Sequence, residues 1–322
     1  MKKRVTIKDI AAEAKCSANC VSRALMDAPD ISQKRKDEIR KIADRMGYIV
    51  NRSAAALRGR SNVVAIMVDS FIEPRYFVMI NFFWERFSKE GYTSIVFRFD
   101  GIQFDVDLAE QLISAGVTGA IAFSPPTVQA QTLLDKNKIP VVVIGRDAGG
   151  RCDNVLLDDA LGGKLAANHF LSRGFGKPMY LGETCALDYS VRRGQGFLEE
   201  FQAHGMSANV VSRDEIENGD FTAFLEGLCR ADDLPDCIFC FSDFIAYMAI
   251  RELHRLGKSV PVIGFDNIQK DIVMPIALTS ISYDKRAVAN VAIDLLYDAI
   301  QKQREKRTVV FSDLQLVLGE EF

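Results

Sequence analysis

Residues 5–25 read Val5-Thr-Ile-Lys-Asp-Ile-Ala-Ala-Glu-Ala-Lys-Cys-Ser-Ala-Asn-Cys-Val-Ser-Arg-Ala-Leu25. Thr6 with Asp9 three residues on has the form of a capping box, with Asp in place of the usual Glu or Gln. Ile7, Ile10, Ala11 and Ala14 recur at i, i+3, i+4 and i+7, which marks one apolar face of a short helix. Lys15-Cys16 is a turn, Ser17 caps a second helix, and Val21, Ala24 and Leu25 repeat the spacing. Asp27-Ala-Pro-Asp30 breaks the chain. Ser32 then caps a third helix with Ile39, Ile42 and Met46 on its inner face, and Gly47 stops it. Three short helices, the first two joined by a tight turn, make a helix-turn-helix core. In that geometry the second helix enters the major groove by its N-terminal end, aiming Ala18, Asn19 and Arg23 at base edges. Asn pairs bidentately with adenine and Arg with guanine. Ser17, Ser22, Arg35 and Asn51 are placed to hold phosphates, and Thr6 joins this DNA-facing set.

Charge agrees with the pattern. The 322 residues carry 40 Lys and Arg against 43 Asp and Glu, a net −3. Residues 1–61 hold 15 basic and 7 acidic side chains, a net +8, and the rest hold 25 and 36, a net −11. A basic head on an acidic body is the electrostatic footprint of a nucleic-acid-binding module joined to something else. The longest apolar runs, such as Val63–Val68 and Val141–Ile144, are far too short to cross a bilayer. Lys2, Lys3 and Arg4 are followed by no apolar core, so no secretory signal is expected and the cytoplasm is. Seven scattered cysteines argue against a disulfide framework.

The segments Val5–Ala14, Cys16-Ser, Val21-Ser-Arg-Ala-Leu and Gly47-Tyr-Ile-Val-Asn-Arg closely resemble the headpiece of the lactose-repressor (LacI) family. The resemblance continues through the body. Cys20 stands where that family usually has Thr, and Val50 replaces the Pro of its Tyr-x-Pro-Asn, which loosens the start of the next segment. That segment, residues 51–61, corresponds to the family's hinge helix, too short to be stable alone in water. The resemblance makes Leu57 the wedge that enters the minor groove and kinks DNA, with Arg58 and Arg60 at the flanking phosphates. A linker leucine packed on the body is the plainer alternative.

From Asn62 short apolar strands alternate with helical stretches. Val63–Val68, Thr93–Phe99, Ala120–Phe123, Val141–Ile144, Val155–Leu157, Met179–Leu181, Cys237–Phe241, Val262–Phe265 and Thr279–Ser282 read as strands, with a last one at Leu314–Leu318. This is the pattern of parallel α/β sheets. The fold class expected is therefore α/β: a three-helix helix-turn-helix headpiece (1–50), a hinge helix (51–61), and a body (62–322). The resemblance implies a periplasmic-binding-protein-like body of two lobes. Lobe one is expected near 62–160 and 284–311, lobe two near 161–283 and 312–322.

No catalytic constellation stands out. His169, His204 and His254 lie beside no Gly-x-Ser-x-Gly elbow and in no His-Glu-x-x-His pattern. Gly162-Gly-Lys-Leu lacks the Ser or Thr of a phosphate loop, and Arg193-Gly-Gln-Gly-Phe reads as helix rather than a dinucleotide turn. Cys237 and Cys240 lie in an apolar strand, where residues three apart face opposite sides, so buried thiols are expected. Cys16 and Cys20 stand one helical turn apart, and with no matching pair elsewhere they are not assigned a metal or redox role. Neither enzyme activity nor a cofactor is expected.

The resemblance also supplies effector positions. Arg193 matches the family's Arg-x-x-Gly-Phe/Tyr motif, and pairing with Glu199 or Glu200 on its own helix face is the alternative. Asp266 matches the effector-binding aspartate, or caps the following turn. Phe221 matches the aromatic stacking position, or is core. Arg75 and Tyr76 stand where the family often has two aromatics; Arg75 points to an anionic group on the ligand, or makes a surface salt bridge. Phe123, Arg146, Tyr189 and Tyr283 fall at cleft-edge positions. The expected protein is a transcription regulator, a repressor by default, that binds operator DNA as a homodimer. It responds to a sugar, phosphosugar or related metabolite and has no membrane partner. The alternative is a stand-alone solute-binding protein. No heptad tail follows Leu316, which favours a dimer over a tetramer.

Overall fold

The computed structural model describes residues 5–25, 27–48, 62–70, 72–302 and 308–319. It forms two compact units, Met1–Ser61 and Asn62–Phe322.

The first unit contains α1 (Ile7–Glu13), α2 (Ala18–Leu25) and α3 (Gln33–Arg45). The capping box forms: the Thr6 hydroxyl accepts from the Asp9 N–H, and the Asp9 carboxylate accepts from the Thr6 N–H at 2.7 Å. Lys15, at φ 50°, turns the chain, and the Ser17 hydroxyl accepts from the Cys20 N–H at 3.1 Å. Ser32 occupies the N-cap position of α3 in extended conformation, but its side chain makes no capping bond. Ile10, Val21, Ala24 and Ile39 close the centre, with Ile42 and Met46 packed around them. The hinge segment 51–61, with Asn51, Leu57 and Arg58, lies outside the described residues.

The second unit contains two six-stranded sheets among the described residues. One comprises β1 (Val63–Val68), β2 (Thr93–Arg98), β3 (Gly119–Ala122), β4 (Val141–Ile144), β5 (Asp153–Leu157) and β11 (Val309–Ser312). Its order is β11-β5-β4-β3-β1-β2, every pair parallel. The other comprises β6 (Pro178–Leu181), β7 (Asn209–Val211), β8 (Cys237–Cys240), β9 (Val262–Phe265), β10 (Thr279–Ser282) and β12 (Gln315–Val317). Its order is β12-β10-β9-β8-β6-β7, parallel except where β12 runs against β10. Central strands such as Val-Val-Val-Ile at β4 and Cys-Ile-Phe-Cys at β8 are buried along their whole length. Such runs suit a parallel sheet covered on both faces. The expected strand at 120–123 sits one residue earlier, and β5 begins two residues before its apolar part, at Asp153. Two strands were not expected, β7 and β11. Both are short edge strands with exposed positions, although Val309-Val-Phe311 in β11 is itself a short apolar run.

Helices α4 (Pro74–Lys89), α5 (Val106–Ser114), α6 (Val128–Lys136) and α11 (Lys285–Lys302) flank the first sheet. Helices α7 (Asp159–Ser172), α8 (Asp188–Ala203), α9 (Phe221–Arg230) and α10 (Asp243–Arg255) flank the second. The chain passes between the sheets after β5, after β10 and after β11. α7 and α8 cross with their backbones in contact: a methyl on Gly163 would overlap the Arg193 carbonyl, and one on Gly196 the Ala160 carbonyl. Glycine permits that approach. In each sheet the strand order reverses beside the first strand, at β1 and at β6. Crevices outside the carboxyl ends of such strands are where open α/β sheets take ligands.

Candidate functional site

Two groups of predicted residues can be placed. In the head, Ser17 and Asn19 are exposed at the start of α2, Ala18 beside them is half-buried, and Thr6 is exposed at the start of α1. Arg23 is exposed on the same helix, its guanidinium 2.6 Å from the Asp30 carboxylate. Two of the expected phosphate contacts are less exposed than Ser17. Ser22 is buried, because it lies on the side of α2 that faces the helical core with Val21 and Ala24. Arg35 is half-buried and engaged within the head, donating to the Ala14 carbonyl at 2.8 Å and to Glu38 at 2.7 Å, so it ties α3 to the end of α1.

In the body, side chains from the carboxyl ends of both sheets meet. Asp69 follows β1, Phe123 and Ser124 follow β3, and Gly145-Arg146 follow β4. Phe241-Ser242 follow β8, Asp266 follows β9, and Tyr283 follows β10. Arg75, in the first turn of α4, reaches across between the lobes. It donates to the Tyr189 hydroxyl at 3.2 Å and the Tyr76 hydroxyl at 3.3 Å, and stands 4.0 Å from the Asp266 carboxylate. Its guanidinium lies 5.0, 5.5 and 5.9 Å from the ring centres of Tyr76, Tyr189 and Phe241, an aromatic cage around a cation. The proposed surface salt bridge of Arg75 is therefore not what forms.

Asp266 is buried at φ 106°, a strained backbone for a side-chain-bearing residue, and Asn267 follows at φ 47°. Its carboxylate accepts from the Tyr283 hydroxyl at 3.3 Å, so it faces the cleft rather than capping the next turn. On the lobe-one side, the Tyr76 hydroxyl donates to Asp69 at 2.8 Å, Ser124 donates to the same carboxylate, and Arg146 donates to Ser124 at 3.0 Å. Tyr76 also packs on Phe123, ring centres 4.6 Å apart. Asn154 holds the backbone of this loop, donating to the Arg146 carbonyl at 2.7 Å. Burial pushes the phenols of Tyr76, Tyr189 and Tyr283 up, so they act as neutral donors.

Arg193 does not pair with Glu199 or Glu200. It is buried on α8, bonded to Asp159 at 2.9 Å and to the Phe241 carbonyl at 2.6 Å. Phe221 is buried at the start of α9, in the apolar core of the body, and is not among the residues lining the cleft cavity.

Residues 167–320 match the model of the periplasmic binding protein-like domain, and residues 6–51 match the model described as bacterial regulatory proteins, lacI family. Over residues 6–51 the chain is thus similar to the LacI family of regulators. It is 25% identical over 324 residues to the transcriptional repressor PurR of Aliivibrio salmonicida, covering 94% of this chain and 95% of that one. It is 24% identical over 326 residues to the repressor CytR of Escherichia coli, covering 97% and 95%. Among solved structures it is similar to the Lac repressor dimer bound to operator and an anti-inducer, with TM-score 0.76, 19% identity and 98% of each chain covered. It is also similar to a complex of the regulator CelR with cellobiose, with TM-score 0.67, 22% identity and 99% and 100% covered. These LacI-family relatives are transcriptional regulators rather than enzymes.

Several cleft residues carry no motif that marks them in the sequence: Asp69, Glu73, Ser124, Asp159, Asp188, Phe241 and Ser242. Asp69, Ser124 and Ser242 carry a usable signal, because each is a polar residue just beyond a buried parallel strand. Cys237 and Cys240 are both buried and their thiols are pushed up by burial, as inert strand cysteines should be.

Glu73 adds a pH dependence. It accepts from the Ser242 hydroxyl across the cleft at 3.3 Å. Burial pushes its carboxyl from an ordinary 4.5 up to about 7; Asp266 and Glu183 raise it further, while Arg75 and Ser242 oppose. The neutral acid is the form the closed cleft favours. Its stabilisation is full below about pH 4.5 and is lost as pH rises through about 7. Between pH 5 and 8 the chain should lose roughly 1–2 kcal/mol of stability through this group after allowance for solvent screening. Glu73→Gln should remove that share of the slope when urea midpoints are compared at both pH values; an unchanged slope would rule it out.

Proposed function

We propose that this chain is a repressor of the LacI kind that binds a pseudo-palindromic operator as a homodimer and is controlled by a small-molecule effector held between its two lobes. The observation that carries the reading is the cleft: Arg75, Tyr76, Tyr189, Asp266 and Tyr283 converge at the carboxyl ends of two mainly parallel sheets. In the separate head unit, Ser17 and Asn19 are exposed at a helix start. Sheet membership supports lobe one near 62–160 and 284–311 and lobe two near 161–283 and 312–322. For residues 51–61 the family pattern alone supports a hinge with Asn51, Leu57 and Arg58 on DNA. A sugar or sugar derivative is the default effector, supported by the cellobiose bound in the similar CelR structure. Phe77 and Trp84, seven residues apart on α4 and each more than half exposed, support a self-association face. Because the partner is operator DNA, the site of action is the cytoplasm; no helix among the described residues is long and apolar enough to cross a membrane.

A ligand shifts the lobes only by its differential affinity for their two arrangements, and that arrangement sets the spacing of the two heads. The test uses a duplex selected from random-sequence DNA by the full-length chain. Asn19→Ala should cost about 1–3 kcal/mol on that duplex and relax base preference at one position per half-site. Equal affinity and unchanged preference would remove α2 from the groove.

A further inference from the structure

The closed cleft keeps a small cavity of about 30 Å³, room for a single water-sized group. Arg75, Arg146, Arg193, Tyr189, Tyr283 and Phe123 line it together with aliphatic side chains, and no carboxylate is among its described lining residues. Arg193 is already satisfied by Asp159 and the Phe241 carbonyl. The other two arginines are not. The Nε atoms of Arg75 and Arg146 are both shut off from solvent and neither has a hydrogen-bond partner. Arg146 as a whole is only 5% exposed. Each faces a lobe-two carboxylate at ion-pair range only: Asp266 stands 4.0 Å from Arg75, and Asp188 stands 3.8 Å from the Arg146 Nε. A buried charged donor without an acceptor is costly, and guanidinium forks match the oxygens of carboxylate and phosphate.

Resting on the reading of this cleft as the effector site, we propose that the effector is an acid, whose carboxylate or phosphate lodges between Arg75 and Arg146. Its uncharged remainder would meet Asp266 and the tyrosines, which suit hydroxyl groups. The anion gives both orphaned Nε–H groups an acceptor and draws the two arginines from the lobe-two carboxylates they now face. Effector charge is thereby coupled to lobe closure, because both ion pairs join one lobe to the other.

Thermal unfolding of the full-length chain tests this, with total ionic strength held constant by chloride. Acetate and D-glucuronate probe a carboxylate; inorganic phosphate and D-glucose 6-phosphate probe a phosphate; D-glucose is the neutral reference. The expected result is a saturable rise in midpoint with one pair of anions, and at least tenfold tighter binding of the acidic sugar than of D-glucose. Arg146→Gln and Arg75→Gln should each weaken that response at least tenfold, whereas Arg230→Gln, on the exposed face of α9, should leave it unchanged. Two arginine variants are used so that misfolding of one leaves the other decisive. No saturable response to any of the anions, or one undiminished in both variants, overturns the proposal. If D-glucose stabilises the chain and Asp266→Asn abolishes that effect while the anions do nothing, the anion site falls and the effector cleft stands. If no probe stabilises the chain, the anion site falls, and the DNA-reading head is judged separately by the operator experiments.

Discussion

Arg193→Ala should lower the unfolding free energy by about 3–5 kcal/mol, the loss typical of breaking a buried ion pair on one side. Arg193 and Asp159 are each 1% exposed, and their bond of 2.9 Å joins α8 to α7. The guanidinium also donates to the Phe241 carbonyl and lies over the Phe265 ring, its central carbon 3.3 Å from the ring centre. Alanine leaves the Asp159 carboxylate inside with only Arg192, at 3.3 Å, for a counter-charge. Burial already holds the Asp159 carboxyl above its ordinary range despite both arginines. Without Arg193 it would rise further, so the defect should shrink as pH falls and the acid becomes neutral. Arg193→Met combined with Asp159→Leu should restore most of the loss, because no charge is then stranded. Urea unfolding of the two variants reads this directly. A loss below about 1 kcal/mol in Arg193→Ala would mean the pair is not formed in the folded chain.

The second large effect comes from the crossing that sets up this pair. Gly163→Ala and Gly196→Ala should each cost at least about 3 kcal/mol, although alanine is the better helix former by roughly 1 kcal/mol. The new methyl would meet backbone, the Arg193 carbonyl and Phe197 amide in one case and the Ala160 carbonyl in the other. Backbone offers no rotamer by which to yield, so α7 and α8 would have to separate. That separation would also draw Asp159 from Arg193. Gly227, on α9, is the control: no atom stands within 4 Å of its would-be methyl, so Gly227→Ala should stabilise by up to about 1 kcal/mol. Midpoints that fall equally for all three would show that helix packing is not the cause.

The two predictions also mark where sequence reading stops. Local rules were enough for the head: a capping box at Thr6, a turn at Lys15, and apolar residues on one face of each helix. They did not foresee the bond of Arg35 to Ala14 on another helix, or the burial of Ser22, which depends on how α2 is rotated about its axis. In the body, buried parallel strands showed as apolar runs, whereas the short, partly exposed edge strands β7 and β11 went unmarked even though Val309-Val-Phe311 is apolar. Family position brought Arg75, Asp266, Tyr189 and Tyr283 together at the cleft, but not their partners. Arg193 meets Asp159 across 34 residues of chain, and only the glycine crossing makes that contact. The caging of Arg75 by Tyr76, Tyr189 and Phe241 likewise needs both lobes in place.

The charge division at residue 61 leads to the most direct test of the account. The full-length chain and a chain beginning at Asn62 should be compared on the selected duplex at salt from about 50 to 200 mM. If residues 1–61, with their net +8, supply the contacts, the full-length affinity should fall by roughly 10³ or more across that range. The shorter chain, with its net −11, should not bind at any salt. Retained binding by the shorter chain, or a full-length affinity indifferent to salt, would contradict a DNA-reading head.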